Sequence, residues 1–219
     1  MNIDAYNKLI EECNASNVTL VAVSKTKPVE DILTLYNLGQ RDFGENYVQE
    51  FTEKQQQLPK DICWHFIGHL QTNKVKQLVG ITDLIHGVDS LKLLKEINKQ
   101  SAKNNAVTKC LLQMHIAQEE TKFGLNEDEL NEIINTLQNE VLHHIKVCGL
   151  MGMASFTNNK EQVRKEFKYL KSLFDKHNKL STFNFQLSVL SMGMTADYKI
   201  AIEEGSNMIR VGSMIFGER

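Results

Sequence analysis

The chain has 219 residues, 42% hydrophobic and 24% charged, the balance of a globular protein with an ample core. Its formal net charge of -2 gives no global field for nucleic acid or an anionic membrane, and no apolar run reaches membrane-spanning length. Cys13, Cys63, Cys110 and Cys148 are dispersed without a C-x-x-C pair, which argues against a disulfide framework or a thiolate zinc site.

In chain order, Met1-Asn2-Ile3-Asp4 lacks the basic-then-apolar start of a signal peptide, so a cytoplasmic protein with reduced thiols is expected. Periodicity predicts a helix from Ile3 to Cys13 and a strand at Thr19–Val23. Pro28 can open the next helix, because its missing N–H costs nothing in the first turn. Ile32, Leu35 and Tyr36 form the stripe of that helix, and Gly39 ends it. Strands follow at Asp42–Gly44, Cys63–Ile67 and Leu84–Val88, then a helix with Lys92, Lys95, Lys99 and Lys103 on a solvated face. After a strand at Lys109–Ile116, Asn126 reads as an N-cap with Glu127, Asp128 and Glu129 in the positive first turn. Leu130, Ile133, Ile134 and Leu137 then face inward. A strand at Lys146–Leu150 precedes a longer helix bearing Val163, Phe167, Leu170 and Phe174, and strands at Gln186–Leu190 and Met208–Val211 complete the set.

Several of these eight strands are nearly continuous apolar runs, as in parallel sheets covered by helices. Eight β/α units predict a single-domain α/β protein over residues 1–219, a closed (β/α)8 barrel with an extra N-terminal helix. An open doubly wound sheet competes, weakened because no G-x-G-x-x-G follows the first strand. Two prolines and no low-complexity or Ser/Gly-rich stretch leave no domain boundary.

Lys25 lies in Val21-Ala22-Val23-Ser24-Lys25-Thr26-Lys27-Pro28, where the first strand ends and a loop opens. Strand carboxyl ends are where α/β proteins bind ligands, and a neighbouring cation favours the free amine that Schiff-base chemistry needs. The plain alternative is a basic loop after an edge strand. In a closed barrel, however, this loop adjoins the loops after the seventh and eighth strands, Ser191-Met192-Gly193-Met194-Thr195-Ala196-Asp197 and Arg210-Val211-Gly212-Ser213-Met214-Ile215-Phe216-Gly217. Small residues with hydroxyls before helical stretches suit an anion, and these loops commonly hold phosphate in such barrels. A reactive lysine beside a phosphate site suggests pyridoxal 5′-phosphate (PLP), held as a Schiff base.

The same residues carry a family resemblance. S-K-T-K-P, F-G-E-N-Y-V-Q-E (Phe43–Glu50), W-H-F-I-G-H-L-Q-T-N-K (Trp64–Lys74), S-M-G-M-T-A-D and R-V-G-S-M-I-F-G together resemble the pyridoxal-phosphate homeostasis protein family, in motif order and over the whole chain. Members of that family are similar to the N-terminal barrel of alanine racemase. The resemblance implies that Lys25 forms the Schiff base and that Arg210 approaches the pyridine nitrogen. It places Ser191, Gly193, Thr195, Gly212 and Ser213 around the phosphate and Asn46 near the ring substituents. The family's usual serine in the seventh-strand motif is Thr195 here, which keeps the hydroxyl.

Lys27, pushed toward extended backbone by Pro28, either tunes Lys25 or is solvated. His65 and His69 have the spacing of a helical metal pair, but a strand and Gly68 intervene, so no metal site is expected and His65 reads as a hydrogen-bonded interior residue. His143 and His144 read as solvated, and Met151 and Met153 as packing.

Two functions compete. One is a non-catalytic protein that buffers PLP or delivers it to PLP-dependent apoenzymes; the other is an amino-acid racemase. Racemases of this fold take an opposite-face acid/base from an added β-rich domain, whereas this chain ends at Arg219 directly after the last strand motif, so no catalytic residue is assigned. A ring nitrogen facing an arginine is also a poorer electron sink. A sugar-phosphate barrel enzyme with a Schiff-base lysine is a more distant third reading. A monomer that binds neither nucleic acid nor membrane is expected.

Overall fold

The pairing order closes the sheet. The computed structural model describes residues 1–119, 122–140, 142–182 and 184–217. Along the chain run α1 (Ile3–Ala15), β1 (Thr19–Val23), α2 (Val29–Asn37), β2 (Asp42–Glu45), α3 (Val48–Gln57) and β3 (Cys63–Phe66). A 3-10 helix (Thr72–Gln77), β4 (Leu84–Val88), α4 (Leu91–Lys103), β5 (Thr108–Met114), α5 (Glu127–Asn139) and β6 (Ile145–Gly152) follow. The chain continues through α6 (Lys160–His177), β7 (Ser181–Thr182), β8 (Phe185–Ser191), α7 (Tyr198–Glu203), β9 (Met208–Val211) and α8 (Ser213–Phe216). The strands pair in the order β6-β5-β4-β3-β2-β1-β9-β8, and β6 pairs β8 to close the ring. Among the described residues the barrel therefore has eight parallel strands, as expected. The short β7 runs antiparallel to β8 and stands outside the ring. At two residues it is too short to leave a periodic signal.

Local sequence accounts for most elements. In α5 the Asn126 side chain accepts from Glu129 N–H at 2.9 Å while Glu129 accepts from Asn126 N–H at 2.9 Å, a full capping box. Gly39, at φ +102, ends the turn after α2 in a conformation that costs glycine little. Alternation along each strand then sorts side chains into two layers. Leu20, Ala22, Ile85, Leu112, Leu150 and Ile209 join the large core between sheet and helices. Val21, Leu84, Leu111, Cys148, Met151 and Met208 fill the barrel itself.

Two details depart from the sequence reading. The fifth strand ends at Met114, so His115 and Ile116 belong to the loop beyond it. His144 is half-buried rather than solvated: its N–H donates to Asn98 Oδ1 and its Nδ1 lies 3.1 Å from Ala106 O. Among the described residues, no helix is long and apolar enough to cross a membrane and no group of three or more His, Cys, Asp or Glu could hold a metal ion.

Candidate functional site

The site lies at the seam between first and last strands. Val21 pairs with Arg210 and Ala22 with Val211, so the β1 and β9 loops emerge side by side. Ser24 N–H continues the ladder by donating to Gly44 O at 3.0 Å, and Lys27 N–H donates to Ser24 O at 3.0 Å, closing a four-residue turn. Lys25 sits half-buried inside that turn. Thr26 adopts φ 63, a left-handed conformation that a β-branched residue takes only under constraint.

The constraint is a buried ionic network under the turn. Thr26 N–H donates to Glu50 Oε1 at 2.6 Å, and Ser24 Oγ donates to Glu45 Oε1 at 2.6 Å. Lys54 Nζ joins them, donating to Ser24 O (2.8 Å), Glu45 Oε1 (2.8 Å) and Glu50 Oε1 (2.6 Å). Burial pushes the Glu45 carboxyl up, while the Lys54 ammonium and the Ser24 hydroxyl hold it back. Sequence reasoning missed Glu45, Glu50 and Lys54. The i,i+4 pairing of Glu50 with Lys54 was readable, but on a helix surface it ordinarily means only a solvated ion pair. Lys27 is partly buried rather than hanging in solvent. Its Nζ donates to Phe216 O at 3.3 Å and Gly217 O at 3.1 Å, tying the turn to the end of α8.

The two hydroxyl loops meet. Ser213 Oγ donates to Thr195 Oγ1 at 3.2 Å, and Arg210 N–H donates to Gly193 O at 3.0 Å. Gly193 has φ +98, and a Cβ there would lie 2.6 Å from Ala201 Cβ. A Cβ on Gly212 would lie 2.9 Å from Val23 O. Both glycines are thus demanded by chain packing at the seam, a reason independent of any anion.

Arg210 is only 4% exposed. Its Nη1 donates to Ser191 Oγ at 2.5 Å and its Nη2 to Gly152 O at 3.1 Å. Burial lowers its guanidinium to about 10, with Asp197 opposing, so it remains charged at neutral pH. Ser191 is fully buried, and its hydroxyl also meets His86 Nδ1 at 3.3 Å. The geometry therefore groups Ser191 with Arg210 and away from the Thr195–Ser213 pair, because alternation along β8 turns it into the barrel. Asn46 follows β2, and its Oδ1 is buried without a protein partner, an acceptor in want of a donor. His65 is the interior residue expected, bonded to His86 and Asp42.

A primary amine on a rigid turn, a buried cation, paired hydroxyls and an orphaned acceptor make a set that fits PLP. The family described as "Alanine racemase, N-terminal domain" matches residues 2–219. The chain is 44% identical over 202 residues to a "Pyridoxal phosphate homeostasis protein" of Aquifex aeolicus (strain VF5), covering 91% of this chain and 86% of that one. The solved structure of PipY from Synechococcus elongatus PCC7942 without PLP superposes with a TM-score of 0.90 at 32% identity, covering 98% of this chain and 99% of that one. The same protein with PLP bound gives 0.83 at 33% identity, covering 92% and 93%. An alanine racemase of Clostridium difficile 630 in complex with cycloserine shares the fold, with a TM-score of 0.76 at 15% identity, over 100% of this chain and 61% of that one.

Proposed function

This chain belongs to the pyridoxal-phosphate homeostasis protein family, whose barrel is of the alanine racemase N-terminal type, and from that premise we propose that it binds PLP covalently through Lys25 and serves in PLP homeostasis. The observation that carries the proposal is the pairing of Val21 with Arg210, which sets the Lys25 turn beside the Arg210 strand end and the hydroxyl loops. The cofactor supplies an aldehyde, which condenses reversibly with a primary amine and releases one water. Every other contribution is the protein's.

Thr195 and Ser213 hold the phosphate, with the backbone of the Gly193 and Gly212 loops behind them. Arg210 donates to the ring nitrogen, and Ser191 anchors Arg210. Asn46 lies beside the ring substituents. Arginine can donate but cannot keep the ring nitrogen protonated at neutral pH, so the site favours storage and release over carbanion chemistry. Residues 1–219 act as one cytoplasmic unit, without robust turnover, that buffers PLP or passes it to apoenzymes. The relatives' shared name supports this reading, and the racemase likeness extends to fold alone.

The test is an absorbance spectrum of the purified protein with PLP, followed by borohydride reduction and peptide mapping. A band at the visible edge and a pyridoxyl adduct on Lys25 are expected. An adduct confined to Lys27 or another lysine overturns the assignment, and Lys25→Ala should lose the band while retaining some cofactor through the phosphate site.

A further inference from the structure

Five side chains from five strands form one hydrogen-bonded line across the barrel interior. Arg210 Nη1 meets Ser191 Oγ at 2.5 Å, and Ser191 Oγ meets His86 Nδ1 at 3.3 Å. His86 Nε2 meets His65 Nδ1 at 2.8 Å, and His65 Nε2 meets Asp42 Oδ1 at 2.9 Å. Ser191, His86, His65 and Arg210 are buried. Asp42, the first residue of β2, is 32% exposed at the amino end of the barrel, whereas Arg210 stands near the mouth.

The two ends dictate the direction. A guanidinium has only donors and a carboxylate only acceptors. Ser191 accepts from Arg210, so its one hydroxyl proton is free for His86 Nδ1. His86 then carries its proton on Nε2 and gives it to His65 Nδ1. His65 in turn carries its proton on Nε2 and gives it to Asp42. With both imidazoles neutral, this is the one order that satisfies every link.

We infer that Asp42, His65 and His86 are positioning residues for Arg210, holding its guanidinium through the oriented hydroxyl of Ser191. Ser191 on Nη1 and Gly152 O on Nη2 are two anchors on separate nitrogens, and two anchors set the orientation of the guanidinium plane. Burial, then His65 and Arg210, hold His86 well below its ordinary value, consistent with a neutral ring. A proton on both ring nitrogens of His65 would present an N–H to His86 Nε2 and force the His86 proton onto Nδ1, reversing the link to Ser191. The positioning role rests on the proposed contact of Arg210 with the cofactor ring; the proton order does not.

Ring-nitrogen NMR of 15N-labelled protein without cofactor reads the tautomers directly. At neutral pH, His65 and His86 should each be protonated on Nε2 alone. A proton on His86 Nδ1, or a doubly protonated His65, overturns the inference. Asp42→Ala should shift His86 toward mixed tautomers, weaken PLP binding roughly two- to ten-fold and move the bound cofactor's absorbance. Asp42→Asn, which keeps an acceptor oxygen, should restore all three. An Asp42 that serves only stability would lower the melting temperature and leave the tautomers and the band unchanged, and that result also overturns the inference. Should Asp42→Ala fail to fold, Ser191→Ala carries the test with the same expected changes in His86 and in affinity. Absence of any PLP band in the wild type would sink the cofactor reading and the positioning role with it, while the nitrogen shifts still decide the proton order.

Discussion

Ser213 and Thr195 each bring a hydroxyl to within 3.2 Å of the other from different loops, which suits an anion better than either does alone. Thr195→Ala and Ser213→Ala should each cost about 1–3 kcal/mol of PLP affinity, roughly five- to 150-fold in Kd. Equilibrium titration by absorbance measures this, and wild-type affinity in both variants would remove the pair from the phosphate site. At this scale the position of Lys25 at the end of β1, inside a tight turn, was legible from the apolar run that precedes it. The contacts of Ser191 with Arg210 and His86 were not legible. Its motif neighbours point to the phosphate, while its orientation along β8 points to Arg210.

The turn that carries Lys25 depends on α3 as much as on its own sequence. Lys54→Met would leave Glu45 fully buried without its cation. We expect a loss of about 3–5 kcal/mol at neutral pH. Burial raises the Glu45 carboxyl, so the penalty should shrink as pH falls and Glu45 takes up a proton, and grow as pH rises through its folded value. Urea unfolding of wild type and variant at acid and neutral pH checks the sign; an equal difference at both would place the cost elsewhere. At the seam, Gly193→Ala must adopt φ +98 and crowd Ala201, so it should destabilise the fold by about 1–3 kcal/mol with or without PLP. Were Gly193 needed for the ligand alone, the unliganded variant would unfold like the wild type.

For the molecule as a whole, the buried neutral histidine links stability to pH. The unfolded chain protonates His86 near its ordinary value of 6.5, while the folded barrel resists. The stabilising contribution is therefore complete above about 6.5 and declines as pH falls below it, by up to about 1.4 kcal/mol per pH unit. His177, lowered by burial in the same direction, adds to the slope. His86→Gln should flatten the decline of unfolding free energy below pH 6.5, and an unchanged slope would mean that His86 already titrates in the fold. Function at this scale is tested by deuterium incorporation at the α-carbon of alanine in heavy water. Exchange near background alongside transfer of PLP to an apoenzyme is expected; exchange with inversion at roughly 1–1000 per second would make the protein a racemase.

What the chain determined by itself is what neighbouring residues can settle. Apolar alternation, the Asn126 capping box, the Gly39 stop and the Lys25 strand end all act over a few positions, so the barrel class and the place of Lys25 at a strand end were readable directly. Only tertiary structure decided which distant side chains meet. Lys54 under the Lys25 turn, and Ser191, His86, His65 and Asp42 in line behind Arg210, come from separate elements whose contacts exist only once the ring closes. The register of that closure turns each strand residue inward or outward, and a slip of one position would carry the whole line out of the barrel.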